Sequence, residues 1–117
     1  MKFSFSIKES NKFNLVKLQG QLIEKHQGDA LLTEIDDLLL KDSGNFILDL
    51  SELTFINEAG LEIIISVLTR ARTNGGECII STVSPELESS EIFKTISELF
   101  IMMPDINSAQ GLFVSQH

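Results

Sequence analysis

The sequence predicts an α/β fold: a mixed, mostly parallel sheet of four or five strands packed with about four helices. Apolar segments of strand length alternate along the chain with segments whose apolar residues recur at helical spacing, which is typical of parallel strands joined by helical crossovers. In addition, residues 46–50 are almost continuously apolar, as expected of a strand covered on both faces. The chain has 117 residues, the length of one domain, so we expect residues 1–117 to form a single domain.

The chain begins with two predicted strands that form an antiparallel hairpin. Apolar and polar side chains alternate over residues 3–7, as on a half-covered strand. A second strand is predicted over residues 13–18, and the polar residues 10–12 between the two strands suit a turn. Gly20 then breaks the pattern.

The remaining elements alternate between helix and strand. Helices are predicted over residues 27–40, 58–73, 85–96 and 107–113, and strands over residues 46–50, 78–83 and 100–102. The apolar side chains of the first helix fall on one face, at Leu31, Leu32, Ile35, Leu38 and Leu39. The expected core stripe of the second helix is Leu61, Ile64, Ile65, Leu68 and Ala71. The predicted order is therefore β-β-α-β-α-β-α-β-α.

The charge of the chain narrows the classes of partner. The net charge is −8, from 17 acidic and 9 basic residues. Such a chain repels phosphate backbones and anionic lipids, so we expect no nucleic acid partner and no membrane insertion, whereas a basic protein surface is a suitable partner. No apolar run approaches the ~20 residues that cross a bilayer, and residues 1–5 resemble a strand rather than a signal peptide. We therefore expect a cytoplasmic protein.

The sequence contains no recognisable motif for catalysis, metal binding or cofactor binding. His26 lies in a polar segment and His117 is the last residue, and neither has a partner at catalytic spacing. The single cysteine, Cys78, lies in an apolar run, which favours a buried structural thiol. Asp49 and Glu52 could be taken as a carboxylate pair, but nothing else in the sequence supports acid–base chemistry. We expect no enzyme activity, no cofactor and no metal.

The most specific pattern lies at residues 46–61, with the sequence Phe-Ile-Leu-Asp-Leu-Ser-Glu-Leu-Thr-Phe-Ile-Asn-Glu-Ala-Gly-Leu. It resembles the signature of STAS domains, found in anti-sigma factor antagonists and sulfate transporter tails. In that family a buried strand ends in Asp-Leu-Ser, and an apolar pair, a turn written Asp-Ser-Ser-Gly or Asp-Ser-Ala-Gly, and a helix follow. Residues 18–22, 75–77, 83–86 and 108–109 fit the family pattern in the same order. The resemblance implies a single STAS domain over residues 1–117, of the anti-sigma factor antagonist type.

The resemblance also implies a function in binding. In the family, the residue after the acidic position of the turn is a serine or threonine that an anti-sigma factor kinase phosphorylates. The unphosphorylated protein binds that kinase and frees the sigma factor, and the phosphorylated protein releases it. In this chain Asn57 takes the acidic position, Glu58 the phosphoacceptor position, Ala59 the second small position and Gly60 the glycine. The implied partner is an anti-sigma factor or a related kinase-like protein, with a second copy of the chain as a further possibility.

The chain departs from the family pattern at two positions. Glu58 has no hydroxyl group and cannot be phosphorylated. It is interpreted either as a partial mimic of phosphoserine, with one charge and two oxygens, or as an acidic residue that stabilises the helix start. Ile23 stands where the family often has Asp, which indicates either changed docking chemistry or simple packing onto the following helix.

The second helix supplies the rest of the expected partner surface. Ile63 and Val67 lie beside its core stripe, and the sequence leaves two alternatives: docking of the partner, or burial under a neighbouring helix. Glu62 and Ser66 lie on its polar face. The residues expected to bind the partner are Ile23, Asn57, Glu58, Ala59, Gly60, Glu62, Ile63, Ser66 and Val67.

Three functional hypotheses follow from the sequence. The first is an anti-sigma factor antagonist that regulates transcription by partner switching and whose usual phosphoacceptor is replaced by Glu58. The second is a non-phosphorylatable STAS subunit or scaffold of a transporter-associated or stress-signalling complex, which Ile23 and Glu58 favour. The third is a small-ligand sensor, for which no glycine-rich phosphate loop provides support.

Overall fold

The computed structural model describes residues 2–41 and 44–114, which form five strands and five α-helices. The strands are β1 (Phe3–Glu9), β2 (Asn14–Leu22), β3 (Phe46–Ile56), β4 (Cys78–Val83) and β5 (Ile101–Met103). The helices are α1 (Asp29–Lys41), α2 (Glu58–Thr73), α3 (Pro85–Glu88), α4 (Ile92–Leu99) and α5 (Ile106–Val114), and a 3-10 turn at Lys25–Gly28 precedes α1. The predicted α/β class and order of elements are confirmed, with one more helix than expected.

The five strands form one mixed sheet in the order β1-β2-β3-β4-β5. β1 and β2 pair antiparallel, and every later neighbour pair is parallel. This arrangement is the predicted one, since each parallel pair is connected through a helical segment. The order places β3 at the centre and β1 and β5 at the two edges.

The apolar segment at the start of β3 is covered on both faces, as its sequence predicts. Phe46, Leu48 and Leu50 belong to the main core cluster, on the side of the sheet that α1 and α2 cover. Ile47 belongs to a second, smaller cluster with Ile79 of β4 and the α5 side chains Ala109 and Phe113. Alternate residues of a strand point to opposite faces, so a continuous apolar run fits this central position.

Two strands are longer than predicted. β2 continues past Gly20 to Leu22, and β3 continues past Leu50 to Ile56. Gly20 has φ +94°, and a Cβ there would lie 2.0 Å from the carbonyl oxygen of Lys2, so only glycine lets the strand continue through this bend. β3 leaves β4 near Leu50 but stays paired with β2 as far as Ile56. Pairing with β2 therefore extends β3 almost to the start of α2.

The third predicted helix, over residues 85–96, is divided into α3 and α4. α3 begins at Pro85, as predicted. The Ser84 hydroxyl caps it by accepting from the amide of Leu87, and it donates to the carbonyl of Leu53. The helix ends after one turn, where the Ser90 hydroxyl donates to the carbonyl of Leu87 at 2.6 Å. Serine hydroxyls that bond the local backbone compete with helix continuation, which accounts for the break.

Cys78 is fully buried at the start of β4, as its sequence context predicts. Burial raises the pKa of the thiol far above its usual value, with the nearby Glu77 carboxylate as a smaller cause. Because the thiolate is the reactive form, we expect Cys78 not to react with Ellman's reagent in the native protein and to react completely in denaturant. Rapid labelling of the native protein would contradict this placement.

Candidate docking surface at the start of helix α2

The candidate site is the surface formed by the loop after β2, the end of β3 and the first turn of α2. Asn57 joins these three parts. Its Oδ1 accepts a hydrogen bond from the amide of Gly60 at 3.0 Å, which caps the helix. Its Nδ2 donates to the carbonyl of Ile23 at 2.9 Å, which ties the loop after β2 to the helix start. The Asn57 side chain thus positions both the loop after β2 and the start of α2.

The loop after β2 is fixed by a second amide side chain. Gln27 Oε1 accepts hydrogen bonds from the amides of Ile23 and Glu24, at 2.8 and 2.9 Å. The loop then enters the 3-10 turn, which packs on α2: Gly28 lies so close to Ile63 that a Cβ at Gly28 would be 2.7 Å from the Ile63 side chain. These contacts hold the loop against the helix in a defined conformation.

Asn57 performs a function that the family's aspartate cannot perform here. An aspartate can cap the helix, but it cannot donate to the carbonyl of Ile23 and would place a carboxylate oxygen against it. We expect Asn57→Asp to lower the free energy of unfolding by about 1–3 kcal/mol. Asn57→Ser keeps a capping oxygen and adds no charge, so it is the matched control and should cost less. Urea unfolding compares both variants with the wild type, and an unchanged midpoint for Asn57→Asp would show that the bond to Ile23 contributes nothing to stability.

Gly60 brings the first turn of α2 against the backbone of β2. A Cβ at this position would lie 2.1 Å from the carbonyl oxygen of Leu22 and 3.1 Å from the Cβ of Ile56. Gly60 is buried, and Ala59 before it is half-buried. The glycine of the sequence pattern is therefore required for this close approach.

Glu58 is the first residue of α2 and its side chain is exposed. Its carboxylate lies at the positive end of the helix dipole, which stabilises it there by about 0.3–1 kcal/mol. Glu62, one turn later on the same face, is also exposed. Neither carboxylate forms an ion pair with any residue in the described part of the chain. The face therefore carries two uncompensated negative charges, about 6 Å apart along the helix axis.

Ile63 and Val67 do not lie on this exposed face. Their side chains are 4% and 0% exposed and belong to the main core, where the 3-10 turn and α1 pack against α2. Of the two alternatives left by the sequence, burial is the one the structure shows, so neither side chain is available for docking. Leu61 and Ile65, which were expected in the core stripe, are only partly buried and pack against the edge of the main core.

Ser66 and Ile23 take intermediate places. The Ser66 hydroxyl accepts a hydrogen bond from Arg70, whose Nε also donates to Asp36 of α1 at 2.8 Å. Ser66 is thus part of a contact between α2 and α1. Ile23 is half-buried, and it is its backbone, through Asn57 and Gln27, that shapes the surface.

Phe55 is a surface residue that the sequence pattern did not single out. It lies two residues before Asn57 and is 48% exposed, although its neighbours Leu53 and Ile56 are buried. It pairs with Gln21 in the extension of β3, which was predicted to end earlier. In the sequence, the run Thr-Phe-Ile directly before Asn57 could have indicated this extension of β3, because β-branched and aromatic residues favour strands.

The carboxylate pair considered in the sequence, Asp49 and Glu52, has structural contacts. Asp49 is 7% exposed and its Oδ1 accepts from the amide of Ser51 at 2.9 Å. Glu52 is exposed, and the hydrogen bond from the Lys17 ammonium lowers its pKa, with a second bond from Gln19 adding to the effect. An exposed pair of this kind contributes little to stability. Neither carboxylate lies in the docking surface.

The described residues hold no group of three or more His, Cys, Asp or Glu side chains placed to bind a metal. Within residues 2–41 and 44–114, none of the helices is both long and apolar enough to cross a membrane.

Comparison with known proteins gives a consistent result. The STAS domain family profile matches residues 4–108. BtrV of Bordetella bronchiseptica, a protein assigned by its name as an anti-sigma factor antagonist, is 28% identical over 107 residues, covering 86% of this chain and 90% of BtrV.

Solved structures of the same fold are similar along nearly the whole chain. An anti-sigma factor antagonist from Mycobacterium paratuberculosis superimposes with a TM-score of 0.76 at 16% identity, covering 97% of this chain and 96% of that one. Unphosphorylated SpoIIAA, an anti-sigma factor antagonist, gives 0.73 at 14% identity, covering 97% and 100%. The murine anion transporter Slc26a9 gives 0.68 at 13% identity, covering 93% of this chain and 19% of the transporter. At these identities the structural similarity shows the fold alone.

Proposed function

Since the chain belongs to the STAS domain family, we propose that it is an anti-sigma factor antagonist that binds its partner without a phosphorylation switch at the start of α2. The observation that carries the proposal is Glu58, an exposed and unpaired carboxylate at the phosphoacceptor position of the family pattern. No kinase can add phosphate there, so the charge at this point of the surface is constant.

The surface favours a basic partner. Like charges four residues apart on a helix destabilise it by about 0.2–0.5 kcal/mol, and no cation of the described residues offsets Glu58 and Glu62. A basic side chain of a partner would offset both. We therefore infer that Glu58 is an anchor for a cation of the partner and not a standing repulsion.

Phe55 supplies the apolar part of the same surface. A half-exposed aromatic side chain next to a rigid, charged helix start is suited to insertion into a recess of a partner, where aromatic side chains contribute much of the binding energy. Asn57 and Gln27 hold the loop and the helix start in one conformation before binding. Such preorganisation lowers the entropy cost of association.

The proposed action is protein binding that sequesters an anti-sigma factor and so promotes transcription in the cytoplasm. No catalytic step is proposed, because the docking surface contains no nucleophile with a base within hydrogen-bonding distance. BtrV supports this choice, since its name is anti-sigma factor antagonist.

The second candidate function is a subunit of a transporter-associated or stress-signalling complex. The STAS-like part of Slc26a9, to which 93% of this chain is similar in fold, shows that the same architecture occurs within a transporter. A constant charge at Glu58 is compatible with such a complex, where no phosphorylation is needed.

Affinity purification from the native cell tests the proposal. The tagged wild-type chain should recover an anti-sigma factor, whereas Glu58→Lys should not. Glu86→Lys is the matched control, since Glu86 is also an exposed acidic residue in the first turn of a helix, and it should recover the factor like the wild type. Recovery of transporter subunits in a Glu58-dependent manner would favour the second candidate, and the absence of any Glu58-dependent partner would refute both.

A further inference from the structure

The sheet has a long free edge at β1. β1 is an outermost strand, and it pairs with β2 in unbroken register from Phe3 to Glu9. It contains no proline and no bulge, which are two of the devices that protect sheet edges from pairing. The opposite edge, β5, has only 3 residues. β1 is therefore the edge that offers a backbone surface of useful length.

The backbone groups on this edge can be identified from the ends of the hairpin. The amide of Gln21 donates to the carbonyl of Lys2, and the amide of Ser10 donates to that of Phe13. Because hydrogen-bonded and non-hydrogen-bonded pairs alternate in an antiparallel ladder, the even-numbered residues of β1 bond to β2. The odd-numbered residues therefore direct their N–H and C=O groups to the free edge: Phe3, Phe5, Ile7 and Glu9.

A groove of about 500 Å³ runs along the same edge, between β1 and α1. Its apolar floor is formed by Phe5, Ile7 and Leu38. Ser6 also lines the groove although its side chain alternates to the opposite face, so backbone atoms of β1 form part of the wall. A strand added to β1 would thus place every second side chain over this floor.

The rim of the groove is mainly acidic. Glu9, Glu34 and Asp37 face it together with one cation, Lys41. Lys41 pairs with Glu9 at 3.9 Å, and both side chains are more than half exposed, so the pair is weak. Glu34 and Asp37 are exposed and form no ion pair with a described residue. Glu34 and Asp37 therefore face the groove without an ion-pair partner among the described residues.

From this edge and groove we propose a second docking site: β1 binds an extended basic segment of a partner protein, in which arginine or lysine recurs at every second position. The segment adds a strand to β1 through the odd-numbered backbone groups. Its basic side chains lay their aliphatic stems on Phe5, Ile7 and Leu38 and carry their charged ends to Glu34 and Asp37. The proposal rests on β1 and α1 and is independent of the function assigned to Glu58.

A second copy of this chain is a poorer occupant. Two β1 edges that meet would bring two acidic grooves together, in a chain whose net charge is −8. The repulsion between like charges at such an interface costs several kcal/mol. The cations of a basic segment would instead neutralise the carboxylates of the groove. Charge complementarity therefore favours a basic segment over a second copy.

Nuclear magnetic resonance titration with a synthetic peptide tests this site. The probe is acetyl-Thr-Arg-Thr-Arg-Thr-Arg-Thr-amide, added to the ¹⁵N-labelled full chain. We expect the backbone amide signals of Phe5 and Ile7 to shift most, together with those of α1. The same peptide with glutamate in place of arginine should cause no shift. A probe methylated at the backbone nitrogens that face β1 should bind at least ~tenfold more weakly, because it cannot form the hydrogen bonds of the ladder.

A double charge reversal, Glu34→Lys with Asp37→Lys, should lower the affinity for the arginine probe more than ~tenfold. The matched control, Glu86→Lys with Glu88→Lys, changes the net charge equally at exposed positions of α3 and should have little effect. Equal loss in both double variants, shifts centred away from β1, or unweakened binding of the methylated probe would overturn the proposal. So would a dimer of the peptide-free chain held through β1, because a second copy would then be the occupant.

Discussion

Gly60→Ala is expected to lower the free energy of unfolding by at least ~3 kcal/mol, the largest stability effect among the substitutions considered. The added methyl group would lie 2.1 Å from the carbonyl oxygen of Leu22, and a backbone atom cannot move aside as the end of a side chain can. Overpacking that shifts side chains and backbone typically costs about 1–3 kcal/mol and occasionally more, and a contact of 2.1 Å with a backbone atom lies at the upper end. A domain of this size has ~5–15 kcal/mol in total, so the variant loses a large part of its stability.

Gly111→Ala is the matched control for this prediction. Gly111 lies within α5, and a Cβ there would lie more than 4 Å from every atom of the described residues outside the nearby backbone of its own helix. Alanine is favoured over glycine inside a helix by about 0.5–1 kcal/mol, so this variant should be slightly more stable than the wild type. Urea unfolding followed by circular dichroism measures both. An unchanged midpoint for Gly60→Ala would show that α2 does not begin against β2 in the manner described.

Glu58→Lys is expected to lower the affinity for the partner at least ~tenfold, because it places two positive charges opposite each other across the interface. The free-energy cost of such a contact can reach several kcal/mol. Its effect on folding should be much smaller, about 0.3–1 kcal/mol, from the loss of a favourable charge at the helix start. Glu86→Lys makes the same change in charge at the start of α3 and should leave binding nearly unchanged. Calorimetric titration with the partner recovered from the cell measures the effect on binding, and urea unfolding measures the effect on folding. Equal affinity of Glu58→Lys and the wild type for the partner would show that Glu58 does not lie in the interface.

Much of the architecture follows from the spacing of apolar residues. The bounds of α2 and β4 agree with the prediction because each is delimited by local signals, Asn57 before one and Gly75-Gly76 between the two. The cap by Asn57 and the close approach at Gly60 were likewise predictable, since each depends on the chemistry of one residue in a known turn.

Other features depend on contacts between distant segments. The burial of Ile63 arises from the 3-10 turn at Gly28, and that turn has no strong pattern in the sequence. The exposure of Phe55 arises from the extension of β3 along β2, which requires the bend at Gly20. The bond from Asn57 to the carbonyl of Ile23 joins residues 34 positions apart. Local periodicity carries no information on any of these contacts.

We propose that Glu58 anchors a constitutive complex. The most direct test is calorimetric titration of the purified partner with the wild-type chain and with Glu58→Ser, which restores the family's hydroxyl group and removes the charge. We predict that Glu58→Ser binds at least ~tenfold more weakly, because a cation of the partner loses its counter-charge. Tighter binding by Glu58→Ser would show that the carboxylate is a standing repulsion of the phosphoserine type, and unchanged affinity would show that it is neither anchor nor mimic; either result would contradict the claim.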